Sequence, residues 1–232
     1  MNIKWHEFPT SGELAGKLAA DVADLLTNAI AERGGSLLAI SGGTTPQLFL
    51  EELSKAELDW QKVTVTLADE RFVPPSSERS NARLAARHLL KNHATKAPFI
   101  PLYRAVPDVE RAADEAATAI SAVPLPFDVM VLGMGTDGHT ASLFPDADNI
   151  TELLDAKGGP TVLPVIAPSA GEPRLTLSMQ TICSARAIIL HIEGDDKRAV
   201  LEQALASEPV LPIRAVIERA AVPVHIYWAP KG

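Results

Sequence analysis

The sequence predicts an α/β fold, an open and mostly parallel sheet with helices on both faces. Short β-branched apolar runs recur along the chain, and segments with apolar residues at three- and four-residue steps separate them. Several runs are apolar throughout rather than alternating, as strands covered on both faces should be. The strand–helix rhythm persists along the whole length with no internal repeat or low-complexity linker, so one domain over residues 1–232 is expected.

A chain of 232 residues, 47% of them hydrophobic, can bury a sizeable core, which excludes a disordered protein. The net charge of −8 disfavours nucleic acid as a partner, and a bound anion would need a local cluster of cations. Cys183 is the only cysteine, so no intramolecular disulfide can form. Its setting, Thr-Ile-Cys-Ser-Ala, reads as a buried small residue rather than a nucleophile. The opening Met-Asn-Ile-Lys-Trp-His lacks the apolar core of a secretion signal, and no run approaches the ~18 apolar residues of a membrane span. A cytoplasmic location and no membrane partner are therefore expected.

Thr10 or Ser11 caps a first helix, whose apolar face is Leu14, Leu18, Val22, Leu25, Leu26 and Ile30, and Gly34-Gly35 stops it. Leu37 to Ile40 is a buried strand. Ser41-Gly-Gly-Thr-Thr-Pro46 then turns into a short helix from about Gln47 to Leu53. A glycine turn at a helix start offers free N–H groups to an anion, and the alternative is a plain βα turn. No Gly-Lys-Ser/Thr follows, so it is not a Walker A loop.

Val63 to Ala68 is the next strand, and Asp69-Glu70-Arg71 stands at its end, either as a solvated cluster or as part of a site. A helix follows Ser80-Asn81. His88 and His93 lack metal-ligand spacing and read as surface or packing residues. Phe99 to Leu102 is a short strand, and Asp108 to Ser121 an alanine-rich helix.

Val129 to Leu132 is a buried strand that runs into Gly133-Met-Gly-Thr-Asp-Gly-His-Thr-Ala-Ser-Leu-Phe-Pro145. Gly133 to Gly138 formally matches the dinucleotide fingerprint G-x-G-x-x-G. The match fails its context test, because Pro145 cuts off the long helix that should follow. What the loop does carry is Asp137 two residues from His139, a carboxylate–imidazole pair suited to acid/base work. Beyond it, a short helix is expected near Thr151–Leu154. Strands are expected at Val162–Ile166, Pro173–Ser178, Ala187–Ile192 and Val224–Trp228, with a helix that Asp195 caps running to Leu205 and another from Pro212 to Arg219. Arg174 opens a strand and is either an edge charge or a ligand contact. Lys197 lies in a helix's first turn, where the dipole disfavours cations, which hints at something negative nearby.

The Gly42-Gly43-Thr44 turn, Asp69 with Arg71, Asp137 with His139, and Lys197 each follow a strand. In a parallel sheet those strand ends share one edge, so the groups can meet there. Arg174 would reach them only along an antiparallel strand.

Taken together, Ser41-Gly-Gly-Thr-Thr-Pro46, Leu67-Ala-Asp-Glu-Arg-Phe-Val-Pro74, Ser80-Asn-Ala-Arg83, the Gly133–Pro145 segment and Gly194-Asp-Asp-Lys197 resemble the 6-phosphogluconolactonases. The resemblance spans nearly the whole chain, in the family's order. It implies a Rossmann-like fold, hydrolysis of 6-phosphoglucono-δ-lactone in the oxidative pentose phosphate pathway, and no cofactor or metal requirement. The related glucosamine-6-phosphate deaminases and isomerases share the Ser-Gly-Gly turn and the Asp-Gly-His. They continue Ile-Ala-Phe-Asn-Glu-Pro, with a glutamate that helps open the sugar ring. Phe144 stands at that place here, which argues against deamination or isomerisation. A non-catalytic sugar-phosphate sensor is the other alternative, and this chain has no spare length or basic helix for a DNA-binding module.

By that resemblance Gly42, Gly43, Thr44, Arg174 and Lys197 hold the substrate phosphate, and His139 is the general acid/base. Asp137 orients the ring or points elsewhere. Arg71 stabilises the oxyanion. Asp69, which matches the deaminases' proton-abstracting aspartate, orients Arg71 or a water. A monomer and a homodimer are both compatible with the sequence.

Overall fold

The computed structural model of the chain describes residues 2–155, 158–206 and 210–231. In chain order the strands are β1 (Ile3–Glu7), β2 (Ser36–Ile40), β3 (Val63–Leu67), β4 (Asp69–Arg71), β5 (Phe99–Ile100), β6 (Val129–Leu132), β7 (Val162–Val165), β8 (Arg174–Leu177), β9 (Ile188–Glu193) and β10 (Val224–Ala229). The helices are α1 (Ser11–Arg33), α2 (Gln47–Leu53), α3 (Asn81–His88), α4 (Val109–Ser121), α5 (Ile150–Leu153), α6 (Met179–Cys183), α7 (Asp195–Ala206) and α8 (Pro212–Arg219).

Among the described residues, seven strands form a parallel sheet in the order β1-β10-β9-β6-β2-β3-β5. All five residues of β2 are buried, as its unbroken apolar run requires. The α1 helix begins as expected, with the Thr10 hydroxyl accepting from the Glu13 N–H at 3.2 Å. It ends on Gly34, which takes a left-handed φ of 80° that costs a glycine little. Leu14, Leu18, Val22 and Leu26 are fully buried beneath it, each worth about 1.5–3 kcal/mol. Leu25, expected on that face, is an exposed large apolar residue.

A second, three-stranded antiparallel sheet, β4-β8-β7, is where the structure departs most from the sequence reading. Asp69–Arg71 is not a ragged strand end. It forms its own strand, paired with β8 so that Arg71 faces Arg174 in register. The β1 strand, which the sequence reading did not anticipate, takes its place by pairing with β10. The strand expected over Phe99–Leu102 shortens to two residues, and Asp195 lies inside α7 rather than before it. Cys183 is buried, and burial pushes its thiol up to about 11. His88 packs as expected, bonded through Nδ1 to Glu51 at 2.9 Å. No helix of the described residues is long and apolar enough to cross a membrane.

Candidate active site

Strands β9, β6, β2 and β3 are consecutive neighbours in the parallel sheet, so the loops leaving their C-terminal ends lie side by side. A cleft of about 260 Å³ opens along that edge. The main sheet contributes Gly42, Gly43, Thr44, His139 and Lys197 to its walls, and the minor sheet contributes Arg71 and Arg174. Asp69, at the start of β4, lines it as well. The antiparallel route that Arg174 needed is the β4–β8 pairing.

The loop after β6 is built to present the imidazole. Asp137 Oδ1 lies 2.6 Å from His139 Nδ1 and also accepts the His139 backbone N–H at 3.2 Å. The pair is thus in contact despite its close spacing, and Nε2 is the ring nitrogen that makes no hydrogen bond among the described residues. Burial pushes the Asp137 carboxyl up, but the hydrogen bond and charge of His139 outweigh that and hold it below its ordinary value. Gly135 is required here, because a Cβ at that position would fall 2.2 Å from His139 Cε1 and Nδ1. Gly138 turns the chain with φ of 79°. Phe144 packs against the ring with centroids 4.4 Å apart, and the Arg174 guanidinium sits over the Phe144 ring, 5.5 Å from its centroid.

Among the described residues Asp69 makes no hydrogen bond or ion pair with Arg71. Its Oδ2 accepts from the Ser142 hydroxyl at 2.6 Å, and the residue before that serine, Ala141, has a left-handed φ of 49°. The Asp69 charge acts on Arg174 instead. Ser142, in the middle of an apolar segment, gave no sign in the sequence of this role.

Glu70, fully buried, anchors the cleft from behind. Its carboxylate accepts from the N–H groups of Arg71, Asn81 and Ala82 and from the Ser80 hydroxyl, at 2.7–3.0 Å. Burial pushes its carboxyl up against the pull of those four bonds. The start of α3 is held in this way, and Asn81 is carried to the cleft wall. Asn81 donates Nδ2 to the Asp69 carbonyl at 2.9 Å, and its amide lies so close to Gly42 that a Cβ there would sit 1.9 Å from Oδ1.

The cations are held at a cost. Burial pushes the Lys197 ammonium below its ordinary value, against the charges of Asp196, Glu193 and Asp137, and Nζ donates to the Met134 carbonyl. Arg174 is lowered by burial too, while Asp69 and Glu172 pull it back. Gly43 adopts φ of 97° in the turn after β2. The N–H groups of Gly42, Gly43, Thr44 and Thr45 make no hydrogen bond within the described residues. The α2 helix behind them is only seven residues long, so the turn and the cations, rather than a helix dipole, must attract an anion. Buried side-chain polar atoms without partners concentrate here as well: Ser41 Oγ, Arg71 Nε, Asn81 Oδ1, Arg174 Nε and His191 Nδ1 all belong to residues of the cleft wall. Buried polar groups in native proteins are nearly always paired, so such a concentration points to a polar ligand or ordered water. Among the described residues, no group of three or more His, Cys, Asp or Glu side chains could hold a metal ion.

A model of the family described as glucosamine-6-phosphate isomerases/6-phosphogluconolactonase matches residues 9–228. The chain belongs to this family. A relative from Mesorhizobium japonicum, named 6-phosphogluconolactonase, is 55% identical over 229 residues, which is 99% of this chain and 96% of that protein. One of the same name from Pseudomonas aeruginosa is 46% identical, covering 95% of this chain and 92% of its own. The crystal structure of a 6-phosphogluconolactonase from Shewanella baltica superposes with a TM-score of 0.94 at 39% identity, over 98% of this chain and 97% of that one.

Proposed function

We propose that the chain hydrolyses 6-phospho-D-glucono-1,5-lactone to 6-phospho-D-gluconate in the cytoplasm, acting on a free small molecule as a monomer or homodimer. The observation that carries this reading is the Asp137–His139 contact of 2.6 Å in the same cleft as Lys197, Arg174 and the Gly42–Thr44 turn. The family's named members agree with it.

The 6-phosphate sits on the N–H groups of the turn, with Lys197 and Arg174 as counter-charges. That grip fixes the far end of the sugar, C1, beside His139. Asp137 accepts from Nδ1, so Nε2 is the base. It takes a proton from water as the water oxygen attacks C1, and the carbonyl electrons move onto oxygen. Arg71 stands ready to stabilise that oxyanion. The intermediate collapses, the bond from C1 to the ring oxygen breaks, and the ring oxygen takes the proton back from the imidazolium. The new carboxylic acid loses its proton to solvent. Asp69, held by Ser142, offers its free carboxylate oxygen to a sugar hydroxyl or to the attacking water.

The test is acid release from freshly made lactone, measured above the spontaneous rate. The parent accelerates it, and His139→Ala lowers kcat by at least about 10²-fold while 6-phosphogluconate still binds. A loss smaller than about tenfold removes His139 from the role. No acceleration by the parent, with tight binding of 6-phosphogluconate, leaves the sensor reading instead.

A further inference from the structure

His191 lies in the middle of β9, where the sequence reads as plain buried strand. It is 3% exposed, yet it borders the cleft. Its Nε2 is 3.1 Å from Glu193 Oε1, and Glu193 is held in turn by the Ser11 hydroxyl at 2.7 Å. Its Nδ1 is buried and has no hydrogen-bond partner among the described residues. A ring fixed through one nitrogen and idle at the other is costly unless the idle side is used part of the time. Phe49, two residues into α2, meets the ring edge-on with centroids 6.1 Å apart, which puts His191 beneath the helix that the Gly42–Thr44 turn leads into.

The groups around the ring include one carboxylate and, farther along the chain, one ammonium. Glu193 faces Nε2, and its carboxyl is held below its ordinary value first by the His191 hydrogen bond. Lys197, at the start of α7, lies near enough to act on Glu193. From β10, Tyr227 is level with His191 in the sheet, and its hydroxyl is committed to Asp21 of α1 at 2.6 Å. His6 of β1 stacks on the far side of Tyr227. Without a ligand, a charged His191 adds a second buried cation to Lys197. With a phosphate dianion present, that extra charge becomes favourable.

We propose that His191 is a proton-linked phosphate ligand: when the phosphorylated substrate enters, Nδ1 takes up a proton from solvent and keeps it, donating a hydrogen bond to a phosphate oxygen, while Nε2–H goes on donating to Glu193. This rests on the reading of the cleft as a sugar-phosphate site. It gives the enzyme selectivity for a dianionic phosphate over a neutral hydroxyl or a monoanion. His191 tunes binding and takes no part in the bond changes at C1. An imidazole suits the task because it alone among side chains ordinarily changes charge near neutral pH.

The experiment is calorimetric titration of 6-phosphogluconate into the enzyme at one pH, in buffers of different ionisation enthalpy, with the parent and His191→Asn compared. Asparagine places a neutral N–H donor near Nδ1 and cannot take the proton. The parent should bind with net proton uptake, and the variant should bind with that uptake removed. Its KM for the lactone should rise about tenfold, equal to about 1.4 kcal/mol, with kcat little changed. Glu193→Gln, which leaves the imidazole in place but removes its anionic partner, should reduce the uptake as well. Proton uptake that is the same in the parent and in a folded His191→Asn overturns the proposal while leaving the phosphate site standing. So does a variant whose kcat falls with KM unchanged. If 6-phosphogluconate does not bind the parent at all, the reading of the cleft fails first. Should His191→Asn not fold, the Glu193→Gln result decides: unchanged uptake overturns the proposal.

Discussion

Gly135→Ala tests whether the imidazole's placement, rather than its mere presence, drives the reaction. The added methyl would lie 2.2 Å from two atoms of the His139 ring and 2.5 Å from Asp137 Oδ1. Non-bonded carbon contacts settle at roughly 3.5–4.0 Å, so the ring must retreat by more than about 1 Å. Both obstructing groups are side chains, and Gly135 does not need a left-handed backbone, so the protein can relieve the clash by rotating them. Overpacking of that kind costs about 1–3 kcal/mol, and here the low end applies because no backbone moves. The chemical loss is far larger, since a displacement of about 1 Å costs about 10²-fold in rate. The expected result is kcat down about 100-fold in an acid-release assay, with 6-phosphogluconate affinity held within about twofold, the scatter of a substitution that touches no ligand. A folded variant whose kcat stays within about threefold of the parent would refute the placement of His139 as the base.

Lys197→Ala should raise KM for the phosphorylated lactone far more than for the unphosphorylated one, and equal effects would remove Lys197 from the phosphate site. Because burial holds the Lys197 ammonium below its ordinary value, its charged form burdens the fold at neutral pH until an anion pairs with it. At 100 Kd, 6-phosphogluconate should stabilise the parent by about 2.7 kcal/mol in a melting assay, with a smaller shift for Lys197→Ala at the same concentration. Glu70→Ala strands four donors inside the protein, each costing about 1–3 kcal/mol, so urea unfolding should show a loss of at least about 4 kcal/mol. A loss below about 1 kcal/mol would mean that Glu70 does not anchor α3. Against the effect of burial, the hydrogen bond and charge of His139 hold the Asp137 carboxyl below its ordinary value, so its tie to His139 is complete above that ordinary value and is lost as pH falls through the lowered one. The parent should therefore keep this interaction down to mildly acid pH, and Asp137→Asn should lower kcat wherever Asp137 is ionised in the parent, the deficit closing only as pH falls through that lowered value.

The parts of the site that follow parallel strands were legible because β-branched runs and glycine turns mark those places locally. The Gly42–Thr44 turn, His139 and Lys197 share the edge that strand counting predicted. What could not be read depends on pairings between distant segments. Asp69–Arg71 looks like polar punctuation until β8 pairs with it in reverse, which no local pattern announces. Ser142 meets Asp69 beside a left-handed alanine, a conformation that the residue type does not suggest. Asn81 was visible in Ser80-Asn-Ala-Arg as part of a resemblance, but its reach to Gly42 depends on a carboxylate eleven residues earlier. His191 was concealed by its own context, since a single polar residue in an apolar strand reads as tolerated filler.

The strand order also dictates when this cleft can exist. As the polypeptide emerges from the ribosome, β2, β3, β5 and β6 can already stack, bringing the glycine bend and the imidazole together. Arg174 and Lys197 are added only after a further stretch of translation, and β1 waits for β10, the last strand in the chain order described, as its partner. An interrupted translation product that stops soon after β6 would thus carry the imidazole with neither cation opposite it, and would leave sugar phosphates untouched.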